Sequence, residues 1–169
     1  MYYQGRIEKL RSRMSEGEVD LAAVAPGPDM RYLTGVAHSE DEPTLLLLTA
    51  DACWMVHSSL SSPDPVPDVG TREWGDEERR DLISELIDTE GIERMAIDDR
   101  MWESRSRLLR NTLDAEVVSL REHTLELRKV KSSEEIERLE QAAGIADRVS
   151  EELREKEAVG MTERELARW

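Results

Sequence analysis

The sequence predicts an α/β fold with a mixed β-sheet flanked by helices, and three features indicate it. Short apolar runs alternate with amphipathic helical patterns through about residue 120, an order typical of α/β layers. Two of the runs are separated only by residues 50–52, which predicts an antiparallel hairpin and therefore a sheet that is not wholly parallel. A long amphipathic helix is expected after the sheet, from about residue 133 to 157.

The chain begins with a predicted helix and a predicted strand. Ile7, Leu10 and Met14 have helical spacing, and Gly17 is expected to end the helix. Residues 21–25 form a compact apolar run before a Pro-Gly-Pro turn, which is typical of a buried strand.

A short second helix and the hairpin follow. Residues 29–35 fit a short helix or a turn, with Asp29 as its cap and Gly35 as its stop. The hairpin strands are residues 44–49 and 53–57, both apolar enough to be largely buried.

The middle of the chain predicts an exposed loop, an edge strand and a third helix. Residues 59–68 contain three prolines, which lack the N–H that a central strand needs. Residues 69–74 predict a short edge strand, and the helix is expected to run from a cap at Asp76 to Gly91. Its apolar face consists of Leu82, Ile83, Leu86 and Ile87.

Two further strands are predicted at residues 94–98 and 115–120, with a helix between them. Asp98 or Asp99 is the expected cap of that helix. Its apolar residues are Met101, Trp102, Leu108, Leu109 and Leu113.

The pattern changes at Ser132, which forms an S-x-x-E capping box with Glu135. The helix that it opens is expected to be about 35–40 Å long at 1.5 Å per residue. Its apolar stripe consists of Ile136, Leu139, Ala143, Ala146, Val149 and Leu153. Left uncovered, this stripe would favour self-association or fraying of the helix.

A second capping box, Thr162 with Glu165, opens another helix, yet only four residues follow Glu165. One helical turn is not independently stable in water. We therefore expect the chain to be a truncated part of a larger architecture.

The chain is strongly acidic, with 38 Asp and Glu against 23 Lys and Arg, a net charge of −15 and only four lysines. Such a surface is tolerated when salt screens its self-repulsion, so one hypothesis is a protein from a halophile and the other is an ordinary acidic protein. Nucleic acid and anionic membranes are poor partners for this charge.

Cys53 is the only cysteine, so no intrachain disulfide can form, and its apolar surroundings favour a buried thiol. The N-terminal segment lacks the apolar core of a signal peptide, and no run approaches the roughly 20 apolar residues of a membrane span. We expect a cytoplasmic protein.

The histidines do not follow any metal-site or nucleophile motif, and we predict neither catalytic nor metal-binding residues in this chain. His38 with Glu40, Asp41 and Glu42 could chelate a divalent ion, which would suit a small metal-dependent enzyme. A solvated acidic loop is the simpler interpretation. His57 at a strand end and His123 in a polar linker are expected to be structural or exposed.

Two stretches carry a recognisable pattern: residues 25–36, APGPDMRYLTGV, contain Tyr-Leu-Thr-Gly, and residues 125–147 contain Arg-x-x-Lys-Ser before a long helix. They resemble the signature and the boundary segment before the first catalytic helix in prolidases, Xaa-Pro aminopeptidases and creatinases. Residues 160–167 resemble the next turn and helix start. The matching positions, expected to be structural, are Tyr32, Leu33, Thr34, Gly35, Arg128, Lys131 and Ser132.

The resemblance implies an α/β N-terminal domain at residues 1–125, followed at 126–169 by the first helices of a truncated pita-bread catalytic domain. In the family's metal enzymes, two Asp, one His and two Glu bind two divalent ions (Mn, Co or Zn) and hydrolyse the bond before proline. None of those ligand motifs can be matched here, so this chain is expected to bind no cofactor.

The resemblance also implies a role in assembly and substrate gating within a homodimer. The loop after Gly35 would approach the active site of the partner subunit, with His38, Glu40 and Glu42 as candidate contacts. The alternative is a standalone binding or dimerisation module that has lost its peptidase domain. The resemblance leaves open whether the larger protein is a dipeptidase, an aminopeptidase or creatinase-like.

Overall fold

The computed structural model describes residues 3–39, 43–61, 63–75, 79–155 and 160–168. The helices are α1 (Gln4–Glu16), α2 (Pro28–Thr34), α3 (Arg79–Leu86), α4 (Glu103–Thr112), α5 (Arg121–Lys129), α6 (Ser133–Glu155) and α7 (Glu163–Leu166). The strands are β1 (Leu21–Val24), β2 (Leu45–Leu48), β3 (Cys53–His57), β4 (Gly70–Glu73), β5 (Arg94–Ile97) and β6 (Glu116–Ser119).

The chain divides into two compact units, Met1–Lys129 and Val130–Trp169. The first unit contains the whole sheet together with α1 to α5. The domain boundary predicted at residue 125 lies within α5.

The sheet has six strands in the order β4-β3-β2-β1-β5-β6. β2 is antiparallel to both β1 and β3, whereas the pairs β1–β5, β5–β6 and β3–β4 are parallel. The predicted mixed sheet, its hairpin and the edge position of β4 are therefore confirmed.

The core lies on both faces of this sheet. Leu21 and Ala23 of β1 belong to one cluster, which also holds Ile83 of α3 and Leu109 of α4. Ala22 and Val24 point to the other cluster, which holds residues of α1 and α2 such as Leu10 and Leu33. Because successive side chains of a strand point to opposite faces, a strand that is buried on both faces must be apolar throughout. β1 and β2 are accordingly buried at every position.

The predicted helix ends are correct at two glycines and the predicted caps are wrong at three aspartates. α1 ends at Gly17, and α2 ends at Gly35 in the left-handed conformation. Asp29 does not cap α2, because Gly27 occupies the N-cap and the Asp29 carboxylate contacts α5 instead. Neither Asp98 nor Asp99 caps α4, which begins after Trp102 without a side-chain cap. The predicted cap at Asp76 lies outside the described residues.

The prediction of a polar linker around His123 is wrong, since residues 121–129 form α5. Thr124 is only 2% exposed, and Leu120, just before the helix, is fully buried. Thr124 is the one buried residue of α5, and Leu127 packs partly buried against the core. The helix packs beside α1.

The second unit consists of α6 and α7, and both predicted capping boxes are present. The Ser132 N–H donates to Glu135 Oε2 at 2.9 Å and the Glu135 N–H donates to Ser132 Oγ at 3.2 Å. Thr162 and Glu165 repeat this arrangement at the start of α7. No residue of α6 is buried. Its largest exposed apolar residues are Ile136, Leu139, Ile145, Val149 and Leu153.

No helix among the described residues combines the length and the apolar character that a bilayer span requires.

Candidate functional site at the carboxyl end of the sheet

The loops that follow β1 and β5 meet the start of α5 at one end of the sheet. β1, β5 and β6 are parallel, so their carboxyl ends lie at the same edge, the usual place for a site in an α/β sheet. A cavity of about 290 Å³ opens there. Its lining residues are Pro28, Asp29, Asp98, Asp99, Arg100, Arg121, Thr124, Leu125 and Arg128.

Asp29, at the start of α2, joins the two stretches that carry the family resemblance. Its Oδ1 accepts from Arg128 Nη1 at 2.6 Å, and its Oδ2 accepts from the Thr124 hydroxyl at 3.2 Å. Asp29 is only 8% exposed, so its charge needs these partners. The contact fixes α5 against α2 across nearly 100 residues of sequence.

Tyr32 strengthens the same junction from the next turn of α2. Its hydroxyl donates to the Leu127 carbonyl at 3.2 Å. The Arg6 guanidinium lies 4.0 Å from the centre of the Tyr32 ring and donates to the Tyr32 carbonyl at 2.6 Å. Tyr32 therefore connects α1, α2 and α5, and we call Arg6, Asp29, Tyr32, Thr124 and Arg128 the junction cluster.

The remaining signature residues shape the end of α2. Leu33 is fully buried, and the Thr34 hydroxyl donates to the Met30 carbonyl at 2.8 Å. Gly35 has a φ of +78°, a conformation that residues with a side chain rarely adopt. A Cβ at Gly35 would also lie 2.3 Å from the Tyr3 ring. Only glycine satisfies both conditions.

Asp98 is the second buried carboxylate at this end of the sheet. It is 5% exposed, and its Oδ1 accepts from the Arg100 backbone N–H at 3.0 Å. Its Oδ2 is buried and has no hydrogen-bond partner among the described residues. Burial raises the pKa of Asp98 and the Asp29 carboxylate adds to the rise, whereas the backbone N–H groups of Arg100 and Ala25 and the charge of the Arg100 side chain oppose it.

Asp99 and two arginines complete the lining. Asp99 Oδ1 accepts from the Ser119 hydroxyl at 2.6 Å. The Arg100 side chain lies close enough to Asp98 for its charge to favour the ionised carboxylate, and Arg121 lines the cavity from the start of α5. Arg100 lies beside Gly27, where a Cβ would come within 3.6 Å of Nη2.

The predicted gating loop is described only in part. His38 is half-buried in the segment after α2, whereas Glu40, Asp41 and Glu42 lie outside the described residues. Within the described ranges, no three His, Cys, Asp or Glu side chains are grouped so that they could hold a metal ion.

Cys53 and His57 have surroundings that indicate structural roles. Cys53 is 6% exposed, and burial raises the pKa of its thiol to about 12, so it is neutral at physiological pH. His57 Nδ1 lies 2.9 Å from the Ser58 carbonyl at the end of β3.

Sequence reasoning named Tyr32, Gly35 and Arg128 but missed the roles of Asp29, Asp98 and Thr124. Asp98 had a signal, because it directly follows an apolar strand and so lies at the carboxyl end of the sheet. The partners of Asp29 are 95 and 99 residues away, and no local pattern reveals them.

Known structures share this architecture. The chain is 30% identical to a dipeptidase from Pyrococcus horikoshii OT3, with a TM-score of 0.78 over 96% of this chain and 47% of that one. It is 25% identical to a prolidase from Thermococcus sibiricus, with a TM-score of 0.78 over 99% of this chain and 48% of that one. The chain thus spans about half the length of these two enzymes.

A solved domain of a dipeptidase from Streptococcus thermophilus shares the fold at 15% identity, with a TM-score of 0.60, and the match covers 72% of this chain and 97% of that one. No curated protein shows significant sequence similarity to the chain. The sequence profile of the creatinase/prolidase N-terminal domain matches residues 6–130. The chain therefore belongs to the creatinase/prolidase N-terminal domain family.

Proposed function

We propose that this chain is the assembly and substrate-gating domain of an Xaa-Pro dipeptidase or aminopeptidase, and that it is not catalytic by itself. The profile match over residues 6–130 carries the proposal, because the matched family is the N-terminal domain and not the catalytic one. The alignment with less than half of the Pyrococcus dipeptidase agrees with this assignment.

The junction cluster suggests how such a domain serves assembly. Asp29 and Tyr32 hold α5, the last helix of the first unit, through Arg128 and Leu127. The junction cluster therefore holds α5 to the rest of the first unit. A firmly held last helix would give this unit a stable surface for assembly.

The hydrolytic chemistry is proposed for the larger protein. Two divalent ions (Mn, Co or Zn) would be bound there by two Asp, one His and two Glu. The coding sequence downstream of Trp169 tests this directly. An open reading frame that contains this ligand set supports the proposal, and one that stops or lacks it favours a different function.

Gating is proposed for the segment 36–43, with His38, Glu40 and Glu42 as contacts to substrate at the partner subunit's active site. The test compares His38→Ala and Glu42→Ala with Asp114→Ala, an exposed control, in the full-length protein. We expect the first two to change KM for an Xaa-Pro dipeptide by about 3-fold or more, the effect of losing one contact of roughly 0.7 kcal/mol. Kinetics unchanged in both variants would exclude gating by these side chains.

A standalone dimerisation module is the second candidate, and the exposed stripe of α6 favours it. Leu139 is 56% exposed and Ile145 is 55% exposed. Burying such residues against a second copy would contribute roughly 1.5–3 kcal/mol each. Sedimentation equilibrium should then show a dimer that Leu139→Gln weakens and Glu140→Gln does not. A monomer at every concentration would argue against this candidate.

A further inference from the structure

The sheet ends at β6, whose outer edge carries main-chain groups that no strand of the described chain binds. The N–H groups of Glu116 and Leu120 both donate to carbonyls of the segment that forms β5. Because successive residues of a strand direct their N–H and C=O groups to alternate sides, those of Val117 and Ser119 lie at the outer edge. β6 is the last strand in the sheet order, so this edge is open to a further strand.

A groove of about 370 Å³ adjoins this edge and is bounded by β6 and α4. Its apolar lining residues are Ile97, Met101, Val117 and Val118. Val117 packs only partly buried against the core cluster that holds Leu109 of α4. An open strand edge beside a side-chain groove is suited to a peptide that binds as an added strand, because the edge binds the peptide main chain and the groove accepts alternate side chains. The volume lies within the roughly 300–1,000 Å³ typical of small-molecule sites.

The charged residues of the groove differ between its two ends. Asp99 and Glu103 line it where α4 begins, and Asp99 Oδ1 accepts from the Ser119 hydroxyl at the end of β6. Arg110 lines it from the last turn of α4. Its Nε donates to the Ser106 hydroxyl, and its other N–H groups make no hydrogen bond with the described residues. An ammonium terminus is favoured at the first end and a carboxylate at the second, which orients an added strand antiparallel to β6.

The opposite edge of the sheet, at β4, lacks this arrangement. The Trp74 N–H donates to β3, so the outward main-chain groups of β4 are those of Thr71 and Glu73. The cavity beside β4 is smaller, about 240 Å³, and it is lined by three carboxylates and by no arginine or lysine of the described chain. These carboxylates are Glu73, Asp81 and Glu85. They would repel the carboxylate of a peptide, so β4 is an internal control for β6.

We propose that β6 binds a short free peptide as an added antiparallel strand, with alternate small apolar side chains in the groove beside α4 and the C-terminal carboxylate of the peptide at Arg110. β6 is four residues long, so a tetrapeptide matches its length. The binding does not depend on the peptidase role proposed above, because none of these residues belongs to the junction cluster or to the segment 36–43. No bond is made or broken in it.

The probe is the peptide Ala-Val-Ala-Val, titrated into the ¹⁵N-labelled chain and followed by amide chemical shifts and hydrogen exchange. We expect saturable shifts and slower exchange of the Val117 and Ser119 amides, since both would donate to the peptide main chain. The outward amides of Thr71 and Glu73 should not respond. Equal responses at the two edges, or none at β6 with about 10 mM peptide, would overturn the proposal.

Two N-methylated forms of the peptide test the strand geometry. In an added strand, only every second peptide N–H faces β6. A methyl group on the nitrogen of one middle residue should therefore weaken binding at least about tenfold, whereas a methyl group on the other should leave it nearly unchanged. Equal weakening by both methyl groups would contradict binding as a strand.

Arg110→Gln tests the carboxylate end, with Arg107→Gln, an exposed arginine of α4 outside the groove, as the matched control. Arg110→Gln should weaken binding of the peptide at least about fivefold and leave binding of its C-terminal amide unchanged, because the amide lacks the charge. Arg107→Gln should change neither. Equal weakening of acid and amide would exclude this role of Arg110. Protection of the Val117 and Ser119 amides that rises with protein concentration, without peptide, would assign the edge to a second copy of the chain and overturn the proposal.

Discussion

Two buried aspartates lie at the same end of the sheet and differ in how their charge is compensated. Asp29 has a guanidinium and a hydroxyl as hydrogen-bond partners, whereas Asp98 is bound by backbone N–H groups and only approached by the Arg100 charge, and its pKa is raised on balance. A buried charge is tolerated when it is paired and costs free energy when it is not. Removing the charged partner of Asp29 should therefore lower the free energy of unfolding, whereas neutralising Asp98 should raise it.

Arg128→Ala should lower the free energy of unfolding by about 1–2 kcal/mol, because Asp29 loses a charged partner while remaining buried. The value is modest because the Arg128 side chain is 43% exposed and water screens the pair. Urea denaturation measures it. Lys129→Ala, which removes an exposed ion pair with Glu126 in the same helix, is the control and should change stability much less than Arg128→Ala, because water screens this pair. Equal effects of the two variants would contradict the role of the junction cluster.

Asp98→Asn should raise the free energy of unfolding at pH 7 by about 1 kcal/mol, because it removes a buried charge and keeps the acceptor for the Arg100 N–H. The pKa of Asp98 is raised in the folded chain, so the folded state binds its proton first as pH falls. The destabilisation that the Asp98 charge causes in the parent chain is therefore lost as pH falls through the raised pKa. The difference in free energy of unfolding between Asp98→Asn and the parent should shrink as pH approaches the ordinary carboxyl pKa. Denaturation curves recorded from pH 7 to 4 would show this change. An advantage that grows in acid would contradict the assignment.

At the scale of secondary-structure elements, the signature helix α2 is a connector. The Arg6 side chain of α1 donates to the Tyr32 carbonyl, and the Tyr32 hydroxyl donates to the Leu127 carbonyl of α5. Its end at Gly35 allows the Tyr3 ring to pack against the backbone.

Gly35→Ala should destabilise the first unit by about 1 kcal/mol or more, since alanine disfavours a φ of +78° and its Cβ would displace the Tyr3 ring. Gly5→Ala in α1 is the matched control, because nothing lies within 4 Å of a Cβ there. It should leave stability unchanged or raise it by up to about 0.5 kcal/mol. Thermal unfolding followed by circular dichroism compares the two. A Gly35→Ala chain as stable as the parent would refute the close packing.

The elements that could be predicted are those whose signals are local. The strand runs, Gly17, Gly35 and the box at Ser132 depend on neighbours within a few residues, and all are confirmed. α5 was missed because only a narrow side of it is buried. Its signal was present, since Ser119 and Glu122 have S-x-x-E spacing and Ser119 Oγ accepts from the Arg121 N–H at 3.2 Å.

At the scale of the whole molecule, the strand order, the parallel pairs and the cavity depend on contacts far apart in sequence. Alternating strands and helices predicted the α/β class but not which strands pair. The cavity combines residues 28–29, 98–100 and 121–128, which share no sequence motif. The family signature predicted the end of α2 at Gly35. The roles of Asp29 and Asp98 could be recognised only from the three-dimensional structure.

The net charge of −15 is a property of the whole molecule. Salt shortens the Debye length from about 10 Å at 0.1 M to about 3 Å at 1 M and so weakens repulsion among the surface carboxylates. If the chain comes from a halophile, molar KCl should raise the thermal midpoint, by about 2–4 °C for each kcal/mol gained. Sucrose at matched osmolality is the control for non-electrostatic effects. Equal midpoints in low and molar KCl would reject the halophile hypothesis.

We propose that this creatinase/prolidase N-terminal domain has no catalysis of its own. The direct measurement is proline release from alanyl-proline by the purified chain with Mn²⁺, Co²⁺ or Zn²⁺, beside a metal-dependent prolidase as positive control. We predict a rate equal to that of metal and buffer alone. Metal-dependent release that rises in proportion to the concentration of the chain would contradict the account.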